Sequence, residues 1–99
     1  MSLLRVKVRL FGSFREMAGK GEIELPLSGY KDPITVRDVI EALGREVGEE
    51  ISRKILDSWR QFSSLLILVN GRNIRFMQKL DTAVKDGDEV AIFPPGAGG

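Results

Sequence analysis

The 99-residue sequence predicts one α+β domain, with a main helix on one face of a mixed sheet. Three observations predict it. Apolar and polar residues alternate with period two near both ends of the chain, at "LRVKVRLF" and "DEVAIF". A single strongly amphipathic helical stretch stands between them. Two dipeptides, Asn70-Gly71 and Asp86-Gly87, mark tight turns that return the chain to the sheet.

In the first strand Leu4, Val6, Val8 and Leu10 share one face, and Arg5, Lys7, Arg9 and Phe11 share the other. "GEIELPL" repeats the pattern with Ile23, Leu25 and Leu27 after the turn-forming "AGKG". Pro26 has no N–H to donate to a ladder, so this strand belongs at an edge. The helix begins after Thr35, the expected N-cap, with Asp38 three residues on in a capping-box position. Val36, Val39, Ile40, Leu43 and Val47 follow helical spacing, and Gly48 is the expected C-cap. Gly44 weakens this helix by roughly 1 kcal/mol relative to Ala. "EEISRKILDSWRQF" places Ile51, Ile55, Trp59 and Phe62 at spacing compatible with a second helix or a continuation of the first. "LLILVN" is apolar on both faces, as in a strand covered on both sides. "NIRF" predicts a short return strand. Glu89 to Phe93 form the last strand, with Val90 and Ile92 on one side and Ala91 and Phe93 on the other. Pro94 and Pro95 end it.

Composition narrows the function. Hydrophobic residues make up 42% and charged residues 29%, and net charge is +1, so no bulk field favours nucleic acid. Cysteine and histidine are both absent. Disulfides, thiolate metal sites, cysteine nucleophiles and the commonest general base are therefore excluded. No bound metal is expected. "DGD" (Asp86 to Asp88) lacks the further ligands of a calcium loop and reads as a turn. Neither Asp57 nor the pair Glu49-Glu50 has an evident catalytic partner. There is no apolar run of membrane-spanning length, and "MSLLRVKVRL" lacks a signal peptide's apolar core and cleavage site. A cytoplasmic protein with no membrane partner is expected.

The ending "DGDEVAIFPPGAGG" (Asp86 to Gly99) resembles the C-terminus of MoaD-type sulfur carriers, the small subunit of molybdopterin synthase. "VNG" (Val69 to Gly71) and "FGSFRE" (Phe11 to Glu16) match the same family. The chain departs from its pattern around "SGYKDP" and "EVGEEISRKILDSWRQF". The resemblance implies a ubiquitin-like β-grasp fold: a mixed five-stranded sheet packed on one main helix, with a second short helix. It divides the chain into a domain, residues 1–95, and a flexible tail, residues 96–99.

It also implies a function for the tail. Two prolines stiffen the exit from the sheet, and Gly96, Ala97, Gly98 and Gly99 carry no side chain beyond a methyl. The six residues Pro94 to Gly99 reach about 20 Å at roughly 3.3–3.6 Å each. That is enough to enter a channel in another protein, where slim residues allow close backbone approach. A free α-carboxyl is ionised at neutral pH and is a poor electrophile. In the family an E1-like (MoeB-like) adenylyltransferase uses ATP to adenylate the terminal glycine, here Gly99. Sulfur then replaces an oxygen to give a thiocarboxylate, which the large (MoaE-like) synthase subunit uses on a pterin precursor. This chain would bind no cofactor of its own and would be a carrier rather than a self-sufficient catalyst. The same chemistry up to the adenylate would serve a ubiquitin-like modifier joined through Gly99 to target-protein lysines, or sulfur donation to tRNA or thiamine synthesis. A plain interaction domain with an inert tail is the remaining alternative.

Phe11 and Phe93 have the parity opposite to the core residues. An exposed apolar patch beside the tail exit is expected, and the resemblance makes these residues partner contacts. Arg15 and Glu16 match the family's Arg-Glu pair, and are either a polar partner contact or a solvated loop pair. Arg5, Lys7 and Arg9 form a basic row, either a solvated face or an attraction for an acidic partner or nucleic acid. Trp59 reads as core.

Overall fold

A computed structural model describes residues 2–29 and 32–96. Its elements, in chain order, are β1 (Ser2–Leu10), α1 (Gly12–Ala18), β2 (Glu22–Gly29), β3 (Ile34–Thr35), α2 (Val36–Val47), α3 (Glu49–Gln61), β4 (Leu66–Val69), β5 (Arg72–Asn73), 3-10 turns at Ile74–Phe76 and Lys79–Asp81, β6 (Ala83–Val84) and β7 (Glu89–Phe93). Five strands form one sheet in the order β2-β1-β7-β4-β5, and β3 pairs with β6 in a separate two-stranded ladder. Only β1 and β7 run parallel, with Val8 opposite Val90 and Leu10 opposite Ile92. The sheet is thus mixed, as expected, and β7 lies at its centre.

Alternation decides which face is buried. Val6, Val8 and Leu10 of β1, Val90 and Ile92 of β7 and Ile67 and Val69 of β4 point inward and are buried. They meet Val39, Ile40 and Leu43 of α2, Ile51 and Ile55 of α3, and Phe14 of α1 in one cluster. The capping box at α2 is complete: the Asp38 N–H donates to Thr35 Oγ1 at 3.4 Å and the Thr35 N–H to Asp38 Oδ2 at 2.8 Å.

Pro26 lies on the edge strand β2, opposite Arg5. The Arg5 N–H donates to Asp86 Oδ1 at 2.9 Å, and its carbonyl accepts from the Gly87 N–H at 2.8 Å. Arg5 therefore turns its backbone toward β7, and Pro26 turns its nitrogen to the outer edge, where no donor is required. The "DGD" turn works as a clasp rather than a metal loop. Asp88 accepts from the Lys85 N–H at 2.8 Å and from Asn70 Nδ2 at 2.9 Å, while Asn70 Oδ1 accepts from the Glu89 N–H at 2.9 Å. These bonds tie the β4–β5 turn to the start of β7, whose far end carries the tail.

Four expectations are corrected. The second helix is not short: α3 has 13 residues against 12 in α2, and Gly48, with a positive φ (φ 133°, ψ 132°) that L side chains rarely adopt, separates the two. The return strand expected at "NIRF" is present only as β5, which starts at Arg72 and ends at Asn73. Pairing stops at Asn73, whose side chain accepts from the Arg75 N–H at 2.9 Å and winds the next residues into a 3-10 turn. "FGSFRE" is helical from Gly12 on, with Phe11 extended as its N-cap, so Arg15 and Glu16 lie on a helix and not in a loop. Finally, Trp59 is only partly buried. It packs against the core edge, with the Arg75 guanidinium 3.9 Å from its ring centroid.

Candidate functional site

The tail leaves from the end of β7, and the residues around that exit form the candidate site. Pro94 is buried, Pro95 half-buried and Gly96 exposed. The Phe11 N–H donates to the Ile92 carbonyl at 3.2 Å, so β1 stays joined to β7 up to the exit. Gly12 follows with φ +56°, and a Cβ there would lie 2.8 Å from Pro94 Cγ. Only glycine supplies that backbone angle and that space cheaply. Gly12 is thus the residue that seats the tail root against α1. Its place in a Phe-Gly pair after a strand was the available signal. Gly96 has φ +72° and lets the chain turn just beyond the prolines. Ala97, Gly98 and Gly99 lie outside the described residues.

Phe11 and Phe93 come together as expected, but not as an open patch. Their rings stack with centroids 4.1 Å apart and planes 10° from parallel, and each half-buries the other. The Arg9 guanidinium lies 5.5 Å from the Phe11 centroid and pairs with Glu89 at 3.9 Å. Leu66 and Leu68 of β4, opposite Phe93 and Ala91, continue the apolar area across the sheet's outer face.

The rest of that face is charged, and each cation of the basic row lies beside a carboxylate. Arg5 pairs with Glu24 at 3.5 Å and Lys7 with Glu22 at 3.7 Å, while Arg9 has Glu89. Each cation faces an anion across the sheet, so the charge of the row is balanced locally. Exposed pairs of this kind contribute about 0–1 kcal/mol each.

Arg15 and Glu16 are exposed on α1 and border a shallow depression with Gly12, Gly19, Lys20 and Gly21. Neighbours on a helix point about 100° apart, so the two do not pair with each other. They stand on the same short helix that braces the tail root, available to a partner that surrounds it.

On the other side of the root a groove of ≈ 260 Å³ runs between α1 and α3, lined by Ser13, Phe14, Lys54, Asp57, Ser58, Gln61, Phe62, Pro94 and Pro95. Residues 45–63 had no assigned role from sequence. The groove gives α3 a place beside the tail that helical periodicity alone could not reveal.

A five-stranded mixed sheet in this order, crossed by α2 and ending in an arm on its central strand, defines a ubiquitin-like β-grasp protein. The ThiS family model matches residues 8–99, and the chain belongs to that family. It is 36% identical to a candidate sulfur carrier protein of Archaeoglobus fulgidus, over 97% of this chain and all of that one. The solution structure of small archaeal modifier protein 1 from Methanosarcina acetivorans superposes with a TM-score of 0.75 at 33% identity, covering 100% of both chains. A candidate subunit 1 of a molybdopterin converting factor from Pyrococcus furiosus superposes with a TM-score of 0.63 at 31% identity, over 93% of this chain and 98% of that one. What is shown is the ThiS family and the β-grasp fold, with a molybdopterin converting factor subunit among the structural neighbours. Among the described residues, no helix is long and apolar enough to cross a membrane.

Proposed function

We propose that this chain is a sulfur carrier acting through the carboxylate of Gly99. The observation that carries the reading is the tail root: a buried Pro94 locked against Gly12 at the end of the central strand, with a slim glycine arm beyond it. The domain is a rigid handle, and the arm is what another enzyme takes in. An E1-like adenylyltransferase supplies ATP. The Gly99 carboxylate attacks its α-phosphorus, pyrophosphate leaves, and a mixed anhydride forms. Hydrosulfide then attacks the acyl carbon, the C–O bond to AMP breaks and AMP leaves, and loss of the S–H proton gives the thiocarboxylate. The finer reading, supported by "DGDEVAIFPP" and by the likeness to a molybdopterin converting factor subunit, makes this chain the small subunit of molybdopterin synthase. The large subunit would then direct that sulfur onto a pterin precursor. The likeness to a small archaeal modifier favours a second outcome for the same adenylate, an amide bond to a target lysine.

Intact-mass analysis after incubation with the E1-like enzyme, ATP and a sulfur donor separates these. Replacement of one oxygen by sulfur at Gly99 is expected, and its loss on deleting Gly99. Adducts from Gly99 to lysine would establish the modifier reading instead. An unchanged mass with an active enzyme would leave an inert tail.

A further inference from the structure

We propose that the groove between α1 and α3 docks a segment of the enzyme that activates Gly99, a segment presenting a carboxylate beside an apolar side chain. The inference rests on the carrier reading above and adds where the activating enzyme holds the domain and with what chemistry.

Pro94 and Pro95 are both part of the groove wall, so an enzyme that encloses the tail adjoins the groove without a gap. At ≈ 260 Å³ it falls below the ~300–1,000 Å³ of typical small-molecule sites. It is open on one side and suits a side chain held by a larger body. Its charge is unbalanced in use. Asp57 is engaged by Arg60 at 3.8 Å, whereas Lys54 has no carboxylate partner among the described residues. A strongly hydrated ammonium on the groove wall therefore offers an anion-binding point that the domain itself does not fill. Phe62 supplies the apolar complement. It ends α3 at 47% exposure, and its carbonyl accepts from Arg75 Nη2 at 3.1 Å, so its backbone is fixed while its ring stays available. Aromatic residues, Phe included, are enriched in protein interfaces. A carboxylate over Lys54 with an aliphatic or aromatic side chain against Phe62 and Pro95 satisfies both features at once.

The test is steady-state adenylation of the full chain by its E1-like enzyme, read as ATP–pyrophosphate exchange. Lys54→Glu is expected to raise the KM for the carrier at least tenfold with kcat within twofold of wild type. Lys54→Arg should stay close to wild type, and Phe62→Ser should raise KM in the same way as the charge reversal. Lys85→Glu, beside the turn at the opposite end of β7, should leave KM unchanged. Far-ultraviolet circular dichroism and melting of each variant would confirm folding. Unchanged KM for both groove variants, a fall in kcat alone, or an equal effect from Lys85→Glu would overturn the groove while leaving the carrier intact. A wild-type chain that is not adenylated, by an enzyme active on another carrier, would overturn the carrier reading and the groove with it.

Discussion

Gly44 is buried in the last turns of α2 where α3 crosses it, and a Cβ there would sit 2.7 Å from Ser52 Cβ. By helix propensity alone Gly44 looks like a defect, since Ala would favour the helix by about 1 kcal/mol. Its environment reverses that sign. Ser52 is itself buried and donates to the Glu49 carbonyl at 3.0 Å, so it cannot simply move aside. Overpacking of this kind costs about 1–3 kcal/mol, more than the propensity returns. Gly44→Ala is therefore expected to be destabilising by up to about 2 kcal/mol in urea unfolding, and Gly44→Ala with Ser52→Gly should recover most of the loss. A stabilised single variant would show that the helices do not need this approach. The glycine itself is plain in the sequence, but its reason lies in a residue eight positions away on another helix. Phe11 and Phe93 illustrate the same limit. Parity placed both off the core face, whereas the stacking that half-buries them depends on strand register.

At the scale of elements, what could be read in advance is what local chemistry decides. Alternation set the inward faces of β1 and β7, Pro26 set the edge, and Thr35 with Asp38 set the start of α2. Thr35→Ala removes the acceptor for the Asp38 N–H at the N-terminus of the helix that covers the sheet. A loss of about 0.5–2 kcal/mol is expected, measurable as a lower urea midpoint with unchanged slope, while Thr35→Ser should lose much less. A midpoint equal to wild type for Thr35→Ala would mean that packing of Val36 and Val39 alone fixes the helix start. Elements decided by tertiary contact were missed. Helix α1 has seven residues, no side-chain cap and one buried residue, Phe14, so no periodicity could announce it. The β3–β6 ladder joins two-residue strands nearly fifty positions apart, Thr35 to Ala83 and Ile34 to Val84. The division between α2 and α3 depends on the positive φ of Gly48, which a sequence shows only as a glycine.

The molecule as a whole separates stability from reach. The core closes over Val90 and Ile92, the last tight contact is Gly12 against Pro94, and Gly96 is already exposed. If the carrier reading holds, residues after it can change length without changing what is buried. Two glycines inserted between Ala97 and Gly98 would displace the carboxylate by up to about 7 Å along an extended chain. An enzyme that holds the domain by its surface and receives the terminus in a fixed site should register that displacement in the reaction, because misplacement by as little as about 1 Å can cost 10²-fold. The insertion is expected to leave the melting temperature unchanged and to lower the rate of thiocarboxylate formation by at least tenfold. A variant lacking Ala97 should behave alike, since the arm then falls short. If both variants were converted at the wild-type rate, the enzyme would be capturing a free glycine end from solution. The tail root, the aromatic pair and the groove beside them would then lose their role in presenting it. If melting fell with the insertion, residues beyond Gly96 would belong to the fold, and the division between handle and arm would be misplaced.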